Sequence, residues 1–88
     1  MSVVVYLSSH VDSYTGGRTR VEARGSTLAE LMADLERQYP GLRHRIIDEQ
    51  DRIRRHMNLF VDDERAEDLS FPVQPGARVH ILAALSGG

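Results

Sequence analysis

The sequence predicts an α+β domain in which one main helix packs across one face of a β-sheet. Its 88 residues have room for one hydrophobic core, because a chain of this length buries only about 60–65% of its unfolded surface. One segment carries an apolar stripe at helical spacing, and much of the rest alternates as strands do. A single helix can cover only one face of the sheet, so the other face is expected to stay open.

The chain begins with a predicted hairpin. Residues 3–8 are apolar and β-branched, which is typical of a strand with both faces at least partly covered. Residues 12–17 form a turn cluster, and residues 18–24 alternate polar with smaller or apolar side chains. This alternation indicates an edge strand that returns from the turn and ends at Gly25.

The main helix follows the hairpin. Thr27 and Glu30 form a capping box, in which each side chain accepts a hydrogen bond from the other residue's backbone N–H. Pro40 and Gly41 end the helix. Since this is the one strong helix, we expect its stripe to be core rather than a partner-binding face. The stripe consists of Leu28, Leu31, Met32, Leu35 and Tyr39.

The second half of the chain supplies the remaining strands. Residues 42–55 are strongly charged and predict a loop with a short helical turn. Residues 57–61 alternate as a strand, and residues 62–65 form an acidic turn. Residues 66–76 are mostly connection with room for a short strand, and residues 78–83 form the last strand.

Alternation assigns the two faces of these strands. One set is expected to face the helix: Met57, Leu59, Val61, Val79 and Ile81. Phe60, His80 and Leu82 fall on the opposite face, beside the root of the C-terminal tail. An exposed Phe and Leu side by side form an apolar patch of the kind that marks a protein–protein site. We therefore interpret these three residues as a partner-binding surface rather than as scattered surface hydrophobics.

Composition and charge exclude several function classes. The net charge of −2 disfavours a nucleic-acid or anionic-membrane binder, and no apolar run is long enough to span a bilayer. The first residues lack the basic region of a signal peptide, so a cytoplasmic location is the expectation. The absence of cysteine excludes disulfides and thiolate metal sites. The absence of lysine excludes chains built on the protein's own lysines.

No side-chain constellation predicts catalysis. The four histidines, at positions 10, 44, 56 and 80, show no ligand spacing, and without cysteine a structural zinc site is disfavoured. No serine lies in a G-x-S-x-G elbow, and a phosphate-binding loop would need a lysine. We therefore expect a protein that is not itself an enzyme and that binds no metal or cofactor.

The remaining feature is the tail, which follows the last strand and consists of Leu85, Ser86, Gly87 and Gly88. We divide the chain into a folded domain, residues 1–84, and a flexible tail, residues 85–88. Glycine lacks Cβ, so a Gly-Gly end can run through a channel too narrow for side chains. It can thus bring a terminal carboxylate into another protein's active site. We favour this interpretation, with the Gly88 carboxylate as the working group, over a frayed terminus.

Residues 25–31 (GSTLAEL) and 79–88 (VHILAALSGG) resemble the ThiS and MoaD sulfur carriers, and the resemblance extends over essentially the whole chain. A narrower similarity, to the CysO branch, rests on residues 14–17 (YTGG) and 55–64 (RHMNLFVDDE). The Leu-Ser pair before the glycines departs from the Val-Ala or Val-Thr typical there. The resemblance implies a β-grasp, ubiquitin-like fold, with a mixed sheet of four to five strands and one main helix across one face.

The resemblance also implies a mechanism centred on Gly88. An E1-like adenylating and sulfurtransferase enzyme joins the Gly88 carboxylate to AMP. Sulfide or an enzyme persulfide then displaces AMP and leaves a C-terminal thiocarboxylate. In the route to cysteine, a pyridoxal-phosphate-dependent synthase accepts the sulfur and a metalloprotease restores the Gly-Gly end. ATP, pyridoxal phosphate and zinc thus belong to the partner enzymes, and none is bound by this chain.

Other functions stay open at this point. The same fold and tail serve a ubiquitin-like modifier, in which the activated Gly88 is transferred to a lysine of a target protein. Within the carrier class, the sulfur can go to cysteine, molybdopterin, thiazole, a tRNA base or a specialised metabolite. The third class is a plain interaction domain with an incidental Gly-Gly end.

Overall fold

The computed structural model describes residues 2–8 and 12–83, and it confirms the predicted hairpin, main helix and last strand. A short 3-10 helix lies in the first turn. The elements in chain order are β1 (Val3–Leu7), the 3-10 helix (Asp12–Thr15), β2 (Arg20–Ala23), α1 (Leu28–Gln38), α2 (Leu42–Ile46), β3 (Met57–Val61), β4 (Glu64–Ala66) and β5 (Arg78–Ala83).

The five strands form one mixed sheet in the order β2-β1-β5-β3-β4. Two antiparallel hairpins, β1-β2 and β3-β4, flank the central strand β5. β5 is parallel to β1 and antiparallel to β3, so the first and last strands of the chain lie side by side. This is the β-grasp arrangement that the resemblance implied.

The core lies between α1 and one face of the sheet. Four stripe residues of α1, Leu28, Leu31, Met32 and Leu35, are fully buried, which confirms the stripe as core. Tyr39 is the C-cap residue of α1 and packs against the edge of this core. The predicted inward strand positions are confirmed too, because the following are all buried: Met57, Leu59, Val61, Val79 and Ile81.

The start of α1 is capped almost as predicted. Thr27 Oγ1 accepts a hydrogen bond from the Glu30 backbone N–H at 3.3 Å. The Glu30 carboxylate, however, accepts from the backbone N–H of Ser26 at 2.8 Å rather than from that of Thr27. An isolated bridge between Thr27 and Pro72 holds this backbone extended, and in that conformation the Ser26 N–H reaches the carboxylate. The Ser26 hydrogen bonds lower the pKa of Glu30, because they stabilise its charged form.

The predicted acidic turn at residues 62–65 is too long. Asp62 and Asp63 form the turn, with Asp62 at a φ of 55°, and Glu64–Ala66 is already strand β4. β4 pairs antiparallel with β3 through three residues. Its Glu-Arg-Ala sequence has little intrinsic β propensity, so the strand is specified by its pairing with β3 rather than by its own residues.

The segment after β4 is more than the predicted connection. Three of its side chains belong to the buried core: Leu69, Val73 and Ala77. The carbonyl groups of Leu69 and Phe71 accept hydrogen bonds from the first two N–H groups of α1, at 2.9 and 3.1 Å. The first N–H groups of a helix have no partner within the helix. This segment therefore satisfies the N-terminal end of α1.

The short helical turn predicted within residues 42–55 is confirmed as α2. Gly41, at a φ of 96°, lets the chain turn sharply between α1 and α2. The Glu36 carboxylate of α1 accepts hydrogen bonds from the backbone N–H groups of Gly41 and Arg43, at 3.0 Å each. These hydrogen bonds lower the pKa of Glu36 and tie the two helices together.

Candidate functional site

The tail starts from the centre of the sheet. β5 is paired on both sides and ends at Ala83, which pairs with Met57 of β3. The backbone N–H of Ala83 donates to Ser8 Oγ at 3.2 Å, and the Ser8 N–H donates to the Ile81 carbonyl at 3.0 Å. Ser8, which directly follows β1, and Met57 of β3 thus hold Ala83, the last described residue before the tail. The four predicted tail residues lie outside the described residues: Leu85, Ser86, Gly87 and Gly88.

Phe60, His80 and Leu82 lie on the sheet face opposite α1, as the alternation predicts. Each is flanked along its strand by residues of the covered face, such as Leu59 and Ile81, which are 0% exposed. Leu82 is 41% exposed, while Phe60 and His80 are half-buried. Leu82 directly precedes Ala83, so this open face adjoins the tail root. That these three residues bind a partner remains a prediction.

Cross-strand pairing gathers the open-face side chains into one row. Tyr6 pairs with His80, and His80 pairs with Phe60. The rings of Tyr6 and His80 stack, with centroids 4.8 Å apart and planes 14° from parallel. At the sheet edges, Tyr6 pairs with Arg20 and Phe60 pairs with Arg65. We call these five residues the aromatic row; it has three rings in the middle and one arginine at each edge.

Tyr6 is the aromatic residue of this row that sequence reasoning missed. Residues 3–7 are all apolar, so the alternation of β1 between the two faces is invisible in the sequence. Tyr6 joins the open face because β1 pairs with β5, which is about 75 residues further along the chain. The alternating burial of β1 in the structure, buried at odd positions and half-buried at even ones, is the signal that identifies it.

The described residues contain no arrangement for side-chain catalysis. His44, His56 and His80 belong to α2, the loop before β3, and β5, while His10 lies outside the description. Over residues 2–8 and 12–83, no three or more His, Cys, Asp or Glu side chains are placed to hold a metal ion. Within the same residues, neither helix is long and apolar enough to cross a membrane.

The perturbed carboxylates in the loops secure turns. A hydrogen bond from the Arg52 backbone N–H lowers the pKa of Asp48, and one from the Ser70 hydroxyl lowers that of Asp68. A lowered pKa keeps a carboxylate ionised at neutral pH, whereas a general acid or base works with a pKa near the operating pH. These groups therefore stabilise the loops and do not form a catalytic centre.

Comparison with known proteins identifies the family. The sequence model of the ThiS family matches residues 5–88. The sulfur carrier proteins CysO of Mycobacterium tuberculosis and Mycobacterium bovis are each 33% identical to this chain over 93 residues, and each match covers 100% of both chains.

Solved structures agree with this assignment. A chain in the crystal structure of the Amycolatopsis orientalis BexX/CysO complex matches with a TM-score of 0.90 at 32% identity, covering 98% of this chain and 99% of that one. Mycobacterium tuberculosis CysO matches with a TM-score of 0.88 at 32% identity, covering 94% and 99%. SAMP1 from Haloferax volcanii matches with a TM-score of 0.83 at 20% identity over 100% of both chains, which confirms the β-grasp fold alone.

These matches cover all or nearly all of the chain, and the family model, the sequence identity and the fold agree. Carrier proteins of this family are not catalytic and bind no cofactor themselves, in agreement with the expectations from the sequence. The chain therefore belongs to the ThiS family, and within that family it is a CysO-like sulfur carrier protein.

Proposed function

We propose that this chain carries sulfur as a thiocarboxylate on Gly88 and donates it in a biosynthetic reaction. The product is cysteine or another sulfur-containing metabolite or cofactor. The observation that carries the proposal is the position of the tail root in a chain similar to CysO over its full length. Ala83 ends the central strand, is held by Ser8 and by β3, and adjoins the open face.

A free carboxylate must be activated before sulfur can be added, because its negative charge opposes nucleophilic attack. An E1-like enzyme joins an oxygen of the Gly88 carboxylate to the α-phosphorus of ATP, and pyrophosphate leaves. Hydrosulfide then attacks the carbonyl carbon of this mixed anhydride, and AMP departs with the electrons of the broken C–O bond. Loss of the sulfur-bound proton leaves a thiocarboxylate, which is ionised at neutral pH and is a soft nucleophile.

This chain contributes by bringing the Gly88 carboxylate into the active site of the enzyme. Gly87 and Gly88 have no side chains to obstruct a narrow channel, and Leu85 and Ser86 link them to the domain. The hydrogen bond between the Ala83 N–H and Ser8 Oγ fixes the point from which the tail departs. An enzyme that holds the domain in one orientation therefore receives the carboxylate at a defined distance, which lowers the entropic cost of the reaction.

Partner enzymes dock on the open face through Phe60, His80 and Leu82. Aromatic side chains are enriched at the energetic centres of interfaces, and the exposed Leu82 lies one residue before the tail root. The Amycolatopsis relative supports docking of this kind, since its structure is that of a complex between CysO and BexX. The first partner is the E1-like adenylating enzyme, and the second is the synthase that accepts the sulfur.

The similarity to CysO favours the cysteine route among the acceptors. In that route a pyridoxal-phosphate-dependent synthase would accept the sulfur of the thiocarboxylate. A metalloprotease then releases cysteine and restores the Gly-Gly end. ATP, pyridoxal phosphate and zinc are bound by those enzymes.

The test is intact-mass analysis after incubation with ATP, sulfide and the E1-like enzyme of the same organism. We expect one oxygen of the full chain to be replaced by sulfur, and no change in a variant that lacks Gly88. The thermal midpoint of that variant controls for folding. Equal conversion of the two proteins would show that Gly88 is not the working group. Conjugates to lysines of added protein, without thiocarboxylate, would instead identify a ubiquitin-like modifier.

A further inference from the structure

An arginine-lined cleft lies at the end of the sheet where the tail departs. Because Met57 of β3 pairs with Ala83 of β5, the segment before Met57 enters the sheet next to the tail root. Arg54 and Arg55 of this segment and Arg65 of β4 line one cleft, together with Glu67. We call Arg54, Arg55 and Arg65 the basic cleft. The residues that line it thus include three arginines and one glutamate.

The charge of the basic cleft is largely uncompensated. Before this segment, Arg43 of α2 pairs with Asp51 at 2.9 Å, and in the loop Arg52 pairs with Asp48 at 3.6 Å. Among the described residues, no carboxylate lies within salt-bridge distance of Arg55 or Arg65. Both side chains belong to exposed residues, so both guanidinium groups are available to another molecule.

Arg54 is held in place by the domain itself. Its Nε donates to the His44 carbonyl at 2.7 Å, and its terminal nitrogen lies 3.4 Å from His44 Nε2. These contacts, to a backbone carbonyl and a ring nitrogen, orient the guanidinium, and no carboxylate among the described residues forms a salt bridge with it. The cleft therefore combines one pre-oriented cation with two free ones.

The opposite end of β3 carries the opposite charge. β3 runs from Met57, at the tail root, to Val61, and the hairpin beyond it bears Asp62 and Asp63 in its turn and Glu64 at the start of β4. The net charge of the whole chain is −2, so the cations at the tail end are a local excess in an acidic protein. Such a separation orients a protein during encounter, with its positive end toward a negative surface.

We propose that the basic cleft pairs with carboxylates at the mouth of the channel that receives the tail in the activating enzyme. The inference rests on the proposed function and adds the chemistry of the partner at this contact. An enzyme that encloses the tail must approach the tail root, and the cleft lies there. Carboxylates suit the site because a guanidinium group can bind one with two parallel hydrogen bonds. A nucleic acid suits it poorly, since the acidic hairpin and the net charge repel phosphates.

The experiment compares charge-reversed carriers in the thiocarboxylate assay with the E1-like enzyme at several sodium chloride concentrations. The test variant is Arg55→Glu combined with Arg65→Glu. The matched control combines Arg78→Glu with Arg24→Glu, which changes the net charge equally at exposed positions toward the other end of the sheet. Arg55→Lys with Arg65→Lys retains the charge and tests whether charge by itself suffices.

We expect kcat/KM of the wild-type carrier to fall as salt rises and to drop about tenfold or more in the test variant at low salt, with a flatter salt dependence. The control should stay within about threefold of wild type, and kcat at saturating carrier should change little in either. Equal kcat/KM and equal salt dependence in test and control variants would overturn the inference.

The proposed function is judged separately, by the wild-type carrier. If the wild-type carrier forms the thiocarboxylate and the test variant reacts equally well, the inference about the basic cleft is wrong while the proposed function is supported. If the wild-type carrier forms no thiocarboxylate, both the proposed function and the inference about the basic cleft are wrong. Should the reversed charges lower the thermal midpoint, Arg55→Gln with Arg65→Gln removes the charge without repulsion and is compared with wild type in the same assay.

Discussion

On the sheet face that α1 covers, every strand side chain of the core is at most 5% exposed, whereas on the opposite face Leu82 is 41% exposed and Tyr6, Phe60 and His80 are half-buried. The same strands build both faces. One helix is enough to complete a core on the first face, so the apolar residues of the second face are available for contacts outside the domain. We propose that the difference separates residues that stabilise the fold from residues that bind partners. Substitutions on either face of the sheet test this proposal.

The covered face should give the largest effect on stability. Leu35 is 0% exposed in the middle of the α1 stripe. Leu35→Ala should lower the free energy of unfolding by about 2–5 kcal/mol, because it removes buried methyl groups and leaves a cavity. Urea denaturation measures this loss. The exposed Ala33 of the same helix supplies the control, since Ala33→Gln should stay within about 0.5 kcal/mol. A loss below about 1 kcal/mol for Leu35→Ala would contradict the assignment of the core.

The open face should give the converse result. Phe60→Ala with Leu82→Ala should weaken binding to the activating enzyme by about 2 kcal/mol or more, if they are central contacts, while the thermal midpoint changes little. Affinity and midpoint are measured on the same sample. Tyr14→Ala is the matched control, because Tyr14 is also 41% exposed but lies in the 3-10 helix, outside the sheet. Unchanged affinity would remove the patch from the mechanism, and a collapse of the midpoint would show that these residues belong to the core.

A smaller effect is expected at the start of α1. Thr27→Ala removes the side-chain acceptor for the Glu30 N–H and should cost about 1 kcal/mol of stability. Thr27→Ser keeps the hydroxyl and should retain most of that stability. Binding to the activating enzyme should be the same for both variants, since the helix lies on the covered side. Equal stability of the Ala and Ser variants would exclude the cap as a stabilising contact.

The smallest expected effect is on the pH dependence of stability in acid. Hydrogen bonds from the backbone N–H groups of Ser26 and Gly41 lower the pKa of Glu30 and Glu36 below their ordinary value of 4.5. A carboxylate whose pKa is lower in the folded state contributes stability above its unfolded pKa and loses it as the pH falls through the folded pKa. Stability should therefore fall with decreasing pH below about 4.5, and less steeply in Glu36→Gln. Denaturation at a series of pH values checks this, and an unchanged slope in Glu36→Gln would contradict it.

The sequence predicts the covered face of the sheet better than the open face. β3 and β5 lie at the predicted positions, and the α1 stripe is the predicted core, because local periodicity reports which side is buried. Tyr6 and Arg65 could not be assigned to the open face. The place of Tyr6 depends on the pairing of β1 with the distant strand β5, which a local pattern does not contain. The place of Arg65 depends on the pairing of β4 with β3, since the residues of β4 have little β propensity of their own. The terminal glycines and the family resemblance predict Gly88 as the working group, and the thiocarboxylate assay tests this prediction.

The most direct test of the division between faces is a map of amide resonances of the ¹⁵N-labelled carrier as the activating enzyme is added. The account predicts that shifts and broadening concentrate on β3 and β5 around Phe60, His80 and Leu82 and on the tail. The outer side of α1, marked by the exposed residues Ala29 and Ala33, should be unaffected. Perturbation centred on that side of α1, with the open-face residues unchanged, would contradict the account.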